Sequence, residues 1–290
     1  MNASSKVKTN EKKKKWLFLN RRQWTLLTIS IAMVLLLVII LLGALLDKDR
    51  IATNLISRNI PPSWDHLFGT DWLGRDMFSR TMMGLSLSIG VGFIGAIGST
   101  SIALVLGMAA ASMGKAADRL ISWLIDLFLS VPHLVTLILI AFTLGGGFKG
   151  IVIGLMLTHW PSLARVIRAE VMQVRSAEYV QISRQMGKSR WWIAAHHIFP
   201  HVLPQILIGF MLLFPHVILH EAAVTFLGLG LSPHEPAIGI ILSESMKYLS
   251  AGMWWLAFFP GLCLLIIVRT FDTIGESFRM LLDPTRAHEK

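Results

Sequence analysis

Cysteine occurs once, at Cys263, inside an apolar run. That excludes a disulfide framework and a cysteine-ligated metal cluster. Charge is scarce as well. Asp, Glu, Lys and Arg make up 15% of the 290 residues, against 54% hydrophobic, and mean hydropathy is +0.62. A soluble domain of this size carries more charge than that. No GxxxxGK[ST] string is present to cradle a phosphate, and no acidic run suits a nucleotide-bound metal. If ATP drives this protein, another chain binds it. HEXXH is absent, since His220-Glu221 has no second histidine at the required spacing. No Ser-His-Asp or metal-ligand spacing stands out, so the chain reads as a non-enzyme with no catalytic residue. No internal repeat is visible, and acids within apolar runs are few. Both absences count against a secondary transporter driven by an ion gradient, where repeats and paired intramembrane charges are common.

What the chain does have is apolar runs near the ~20 residues of a bilayer crossing. They cover 25–46, 85–111, 120–143, 151–164, 201–221 and 253–268. The expectation is an all-α integral membrane protein with six spans. The first run follows a basic tail over 1–24. It is longer than the ~7–15 residues of a signal-peptide core and lacks a small-x-small cleavage site, so it reads as a retained span. An extracytoplasmic loop over 47–84 follows, then a core over 85–274 with a cytoplasmic loop at 165–200, then a tail over 275–290. The second run is rich in glycine, which lets helices approach closely in lipid; packing is expected there rather than a pore lining. Ser130-Val131-Pro132 interrupts the third run and predicts a kink. Trp160-Pro161 is expected to bend or end the fourth.

Charge placement sets the orientation. With the N-terminus inside and six alternating spans, the inner segments hold twenty of the 27 Lys and Arg and the outer segments seven. Acids divide almost evenly, eight to seven, with Asp126 and Glu221 inside spans. Such a cationic excess on one side is the positive-inside pattern. It also disposes of nucleic acid as a partner for the net charge of +10, because the cations are dispersed over membrane-proximal segments. Both termini are expected in the cytoplasm.

The stretch 165–204 organises the chain. Tyr179, Ile182, Ser183 and Met186 fall at i, i+3, i+4, i+7, the largely apolar face of a short helix over 178–186. Glu178 opens it, Gln181 and Arg184 occupy other faces, and Gly187 predicts the stop, with positive φ. Trp191-Trp192-Ile193 starts a second apolar run, and Pro200 and Pro204 mark the start of the next span. An apolar face turned to the cytoplasm calls for a partner protein. The alternative is a helix lying on lipid headgroups.

Five histidines sit in or near spans: His133, His159, His201, His216 and His220. His216 and His220, four apart, share a helix face and are the candidate metal or proton pair. Packing and hydrogen bonding at span ends is the expected reading of both. Asp126 and Glu221 are costly in lipid and are expected to face the protein interior. A structural hydrogen bond is expected for Glu221.

Four strings together resemble one family. FGTDxLGRDxxSR occupies 68–80, EAAVTFLGLGLSPHEPAIG occupies 221–239, LLDPTR occupies 281–286, and Gly187 and Pro200 have the spacing of the coupling (EAA) loop. They are similar to C-type permease subunits of peptide and nickel ABC importers. The loop departs from the family pattern: Gln181-Ile182-Ser183 stands where Glu-Ala-Ala is usual, and His197-Ile198-Phe199-Pro200 replaces Ile-x-Leu-Pro. Turn chemistry accounts for the glycines and aspartates of 68–80 but not for every residue in it. The resemblance implies a type I permease fold and a coupling role for Glu178, Tyr179, Gln181, Ile182, Ser183, Met186, Gly187 and Pro200. It implies a heterodimer with a B-type permease in membrane lipid, two ATPase subunits that use ATP and Mg, and an extracytoplasmic substrate-binding protein. The implied cargo is a di- or oligopeptide, nickel, or a nickel-, cobalt- or zinc-type chelate such as an opine metallophore complex. The histidines tilt the reading toward chelates. A membrane scaffold that does not transport is a further rival.

Overall fold

The computed structural model describes residues 21–282. The tail over 1–20, and 283–290 with most of LLDPTR, lie outside the described residues. The helices are α1 (Arg21–Leu45), α2 (Met77–Ser112), α3 (Lys115–Ser130), α4 (His133–Thr143), α5 (Gly147–Ser176), α6 (Glu178–Gln185), α7 (Arg190–Ile193), α8 (Phe199–Phe226), α9 (Ile238–Met246) and α10 (Trp255–Leu282). A π-helical turn, Ala194–Ile198, joins α7 to α8. Among the described residues the nearest thing to a strand is one isolated bridge, Thr70 to Asp76.

Five helices are long and apolar enough to cross a membrane, and α3 with α4, counted together as one bent pair, gives a sixth. The predicted kink is far sharper than a proline bend, at 98°. Its cause is local. Val131, which precedes a proline, is held extended at φ −96°, ψ 140°, and cannot continue α3. The Pro132 carbonyl then accepts from the amides of Val135 and Thr136 and starts α4 afresh. The other prolines inside helices, Pro161, Pro204, Pro215 and Pro260, leave their helices continuous. Hence α5 does not end at Pro161. It runs 30 residues to Ser176 and absorbs the first third of the 165–204 stretch. Likewise α2 begins at Met77, inside the expected 47–84 loop, and α10 runs well past 268.

The crossings alternate. At one end of the bundle, Arg75 and Arg80 from the α1–α2 connection meet Glu244 on α9, and the Gly147 amide reaches the Gly230 carbonyl. At the other end, Arg168 near the end of α5 holds Asp118 at the start of α3 (Nη2–Oδ2, 2.9 Å). Connections one, three and five thus share an end, as six spans require.

The centre of the bundle is α2, packed on α5, α8 and α1. Its small residues permit this. A Cβ on Gly95 would press on Leu155 and Val217, and one on Gly107 on Ile167 and the Ala164 carbonyl. Those glycines serve helix packing, as expected. One apolar core gathers α1, α8, α9, α10 and the first half of α2 around Phe214 and Ile218. A second gathers the end of α2 with α3, α5 and α6 around Ile167 and Val171. The acids divide. Glu221 is fully buried and accepts from Thr225 Oγ1 at 2.9 Å, the structural bond expected of it. Asp126 does not face the interior: its side chain is 70% exposed on this chain and pairs with Arg165 at 2.7 Å. The polar pair supplies on the helix surface what burial was expected to supply.

Candidate functional site

Three polar assemblies stand out: the 68–80 loop, the α6 region and a histidine group between α4, α5 and α8. The loop shows what most residues of FGTDxLGRDxxSR do. Gly69 and Gly74 take φ of +71° and +73°. Asp71 is fully buried. Its Oδ1 accepts the amides of Leu73 and Arg75, and its Oδ2 accepts Arg75 Nε at 2.6 Å and Arg80 Nη1 at 2.8 Å. The other guanidinium nitrogens reach Glu244 Oε2, at 2.9 Å from Arg80 and 3.3 Å from Arg75. Two cations face two carboxylates, so the buried charge is balanced. Asp76 caps α2, accepting Ser79 N at 2.9 Å and Ser79 Oγ at 2.7 Å. Thr70 Oγ1 donates to the Ser57 carbonyl and accepts the Ile60 amide. Phe68 stacks on Phe259, and Trp72 on Tyr248. This string is a clamp that fixes one end of α2 to α9 and α10.

At the opposite end, Ala177 adopts an extended conformation after α5 (φ −66°, ψ 141°), and α6 begins at Glu178. The acid at the first turn suits the helix dipole. Val180, only 5% exposed, seats α6 in the core near Val174 and Ile193. Sequence reading missed this anchor because one valine among polar neighbours carries no periodic signal. The opposite face is bare: Tyr179 is 46% exposed, Ile182 55% and Met186 73%. Gln181 Nε2 donates back to the Ser176 carbonyl. Ser183 Oγ donates to the Tyr179 carbonyl at 2.9 Å and meets His197 Nε2 at 2.9 Å. With the hydroxyl hydrogen committed to Tyr179, His197 is the donor to Ser183. Gly187 takes φ +79°. Its amide bonds the Arg184 carbonyl, and the Lys188 amide bonds the Ser183 carbonyl, which together form a Schellman stop. Ser189 then caps α7 by accepting the Trp192 amide at 3.1 Å, and Trp191 is left exposed. Pro200 is in the first turn of α8, also exposed.

The histidines are arranged differently from the expected His216–His220 pair. His216 is exposed, one turn from His220. His220 turns instead to His133, at the start of α4, and His159, in mid-α5. These three offer nitrogens all within 4.8 Å of one another. His159 Nε2 and His220 Nδ1 are 3.2 Å apart. No spacing rule could have joined residues on three separate helices.

A family model for the binding-protein-dependent transport system inner membrane component matches residues 103–287. The chain belongs to that family. This inner-membrane component is a multi-pass permease subunit of an ABC importer, and ATPase activity resides in separate subunits. Among its relatives, the dipeptide transport system permease protein DppC of Bacillus subtilis is 31% identical, covering 86% of this chain and 78% of that protein. The oligopeptide transport system permease protein OppC of the same organism is 34% identical, covering 81% and 77%. In fold the permease resembles the MetNI methionine ABC transporter in inward-facing conformations. That match has a TM-score of 0.59 and 19% identity and covers 71% of this chain and 98% of that one. The family also implies a substrate-binding partner and a second permease.

Proposed function

We propose that this permease forms half of the translocation path for di- or oligopeptides and is driven through α6 by two ATPase chains that use ATP and Mg. The observation that carries this is the bare face of Tyr179, Ile182 and Met186. It sits on a helix that Val180 anchors and a Schellman turn at Gly187 aims. Buried against a partner, such anchors contribute ~1.5–3 kcal/mol each, enough to transmit closure of an ATPase pair to α5 and α8. Glu178, Gln181, Ser183 and Pro200 shape and flank the contact. The other half of the path is a B-type permease. An extracytoplasmic binding protein delivers cargo at the end that carries the 68–80 clamp. The peptide class is supported by the names of the relatives above. A second reading, a metal chelate as cargo, is favoured by one observation, the His133–His159–His220 group.

Two experiments test the reading. Reporters active only in the cytoplasm are expected to work after Lys115, Gly187 or Lys290 and to fail after Asp65 or Glu235. An active fusion at Asp65 sinks the orientation. For coupling, ATPases are co-purified with the Ile182→Asp variant and uptake is measured in liposomes. Docking would bury an unpaired charge, so weakened ATPase binding and lost uptake are expected. Wild-type behaviour in both places the docking face elsewhere. Liposomes carrying the wild-type complex that show no ATP-dependent uptake favour the scaffold rival.

A further inference from the structure

We propose that His133, His159 and His220 form a binding site for a divalent transition-metal ion. The imidazoles come from α4, α5 and α8, and their ring centroids lie 4.2, 4.4 and 5.1 Å apart. The tautomer of His159 is set by its surroundings. Its Nδ1 lies 3.1 Å from the Leu155 carbonyl, which can only accept. The neighbouring Thr158 hydroxyl already donates to Gly154. Nδ1 therefore carries the hydrogen, and Nε2 presents a lone pair to His220. A carbonyl fixing the far nitrogen of an imidazole is the support that histidine metal ligands use. His133 supplies an independent sign. Both its ring nitrogens are buried, and neither has a hydrogen-bond partner among the described residues. The Thr158 carbonyl is nearby without reaching hydrogen-bond geometry. A neutral ring with an N–H and a lone pair both buried and unused is unfavourable. A cation gives that lone pair a partner.

The donor set selects the ion. Neutral imidazoles without a carboxylate suit zinc, nickel, cobalt or copper and not calcium or magnesium. Metal–nitrogen bonds of about 2.0–2.1 Å in tetrahedral geometry place donors about 3.3 Å apart. His159 and His220 already stand at 3.2 Å, and the nitrogen of His133 is within 4.8 Å of both, so binding would draw it inward. Glu221 follows His220 in sequence but is not among the residues whose donor atoms converge, so no acid in the group neutralises the ion. Three ligands leave a fourth position open, and an anionic group from a small molecule fits it. The 98° break beside His133 puts this open position where the third crossing is interrupted. Measured from the end of the bundle where Thr143, Gly147 and Phe226 lie, at 1.5 Å per helical residue, His220, His133 and His159 are roughly 9, 15 and 18 Å in. The group is therefore inside the membrane.

The proposal goes beyond the permease reading, and metal binding is measurable whether or not the chain transports. The full chain, purified in lipid nanodiscs without a polyhistidine tag, is titrated with Co(II), and its visible d–d absorption is followed. One ion per chain with a tetrahedral spectrum is expected, displaceable by Zn(II). His133→Gln, His159→Gln and His220→Gln are each expected to weaken binding at least about tenfold. His216→Gln is expected to leave it unchanged. Should His159→Gln disturb folding, judged by circular dichroism, the half-buried His220 carries the test. A wild-type chain with no saturable cobalt signal overturns the proposal. So does a signal that survives His220→Gln and His133→Gln, or one that His216→Gln removes.

Discussion

The 68–80 clamp and the α6 region are both marked by sequence strings, yet they are built on opposite principles. In the clamp, nearly every polar atom finds its partner within the chain: Asp71 alone accepts from two backbone amides and two guanidinium groups. In α6 the apolar side chains are left without cover, and one valine does the seating. One string is constrained by what the chain already contains; the other leaves its apolar face open to the partner proposed above. A recognisable string therefore does not say whether its residues serve stability or a partner. Burial and hydrogen-bond satisfaction do.

Substitutions can break that contrast, and the largest effect is expected in the clamp. Asp71→Ala leaves buried Arg80 short of a counter-charge, which costs about 3–5 kcal/mol. The variant is expected to give little folded protein by size-exclusion chromatography. A normal yield and melting temperature would show that the clamp is not structural. Next come two glycines with nearly equal φ. A Cβ on Gly74 overlaps the Asn54 carbonyl, whereas Gly187 has open space around it. Gly74→Ala is expected to lower stability by more than 2 kcal/mol, about the upper limit for left-handed strain alone. Gly187→Val carries the left-handed strain of about 1–2 kcal/mol but meets no neighbour. It is expected to reach the membrane and yet lose substrate-stimulated ATP hydrolysis, because the exit from α6 is misdirected. Equal melting temperatures for the two variants would erase the distinction.

Smaller effects sharpen it. Met186→Ala is expected to leave thermal unfolding unchanged while weakening ATPase capture by about tenfold, the equivalent of 1.4 kcal/mol. A drop in melting temperature with capture intact would move Met186 to the structural class. Lys12→Ala, in the tail outside the described residues, is expected to change neither measurement. A loss of uptake there would bring the tail into the coupling machinery.

Much of this was legible beforehand because it is local. A crossing needs only ~20 apolar residues in a row, so six runs announced six crossings. A stop at Gly187 needs only a residue that tolerates positive φ. The face of Tyr179, Ile182 and Met186 needs only helical periodicity. What stayed hidden depends on how helices are rotated and tilted against one another. Asp126 was expected inside and lies outside, paired with Arg165, because composition does not say which way a span turns. Arg75 and Arg80 meet a carboxylate more than 160 residues away. The i, i+4 rule offered His216 as the partner of His220, since both stand on one helix. Packing of α4 and α5 against α8 chose His133 and His159 instead. The sequence by itself determined the crossings, their alternation and the exposed helix, all of them properties of short stretches. Only the tertiary structure decided which side chains share a site, because that follows from close packing between helices far apart in the chain.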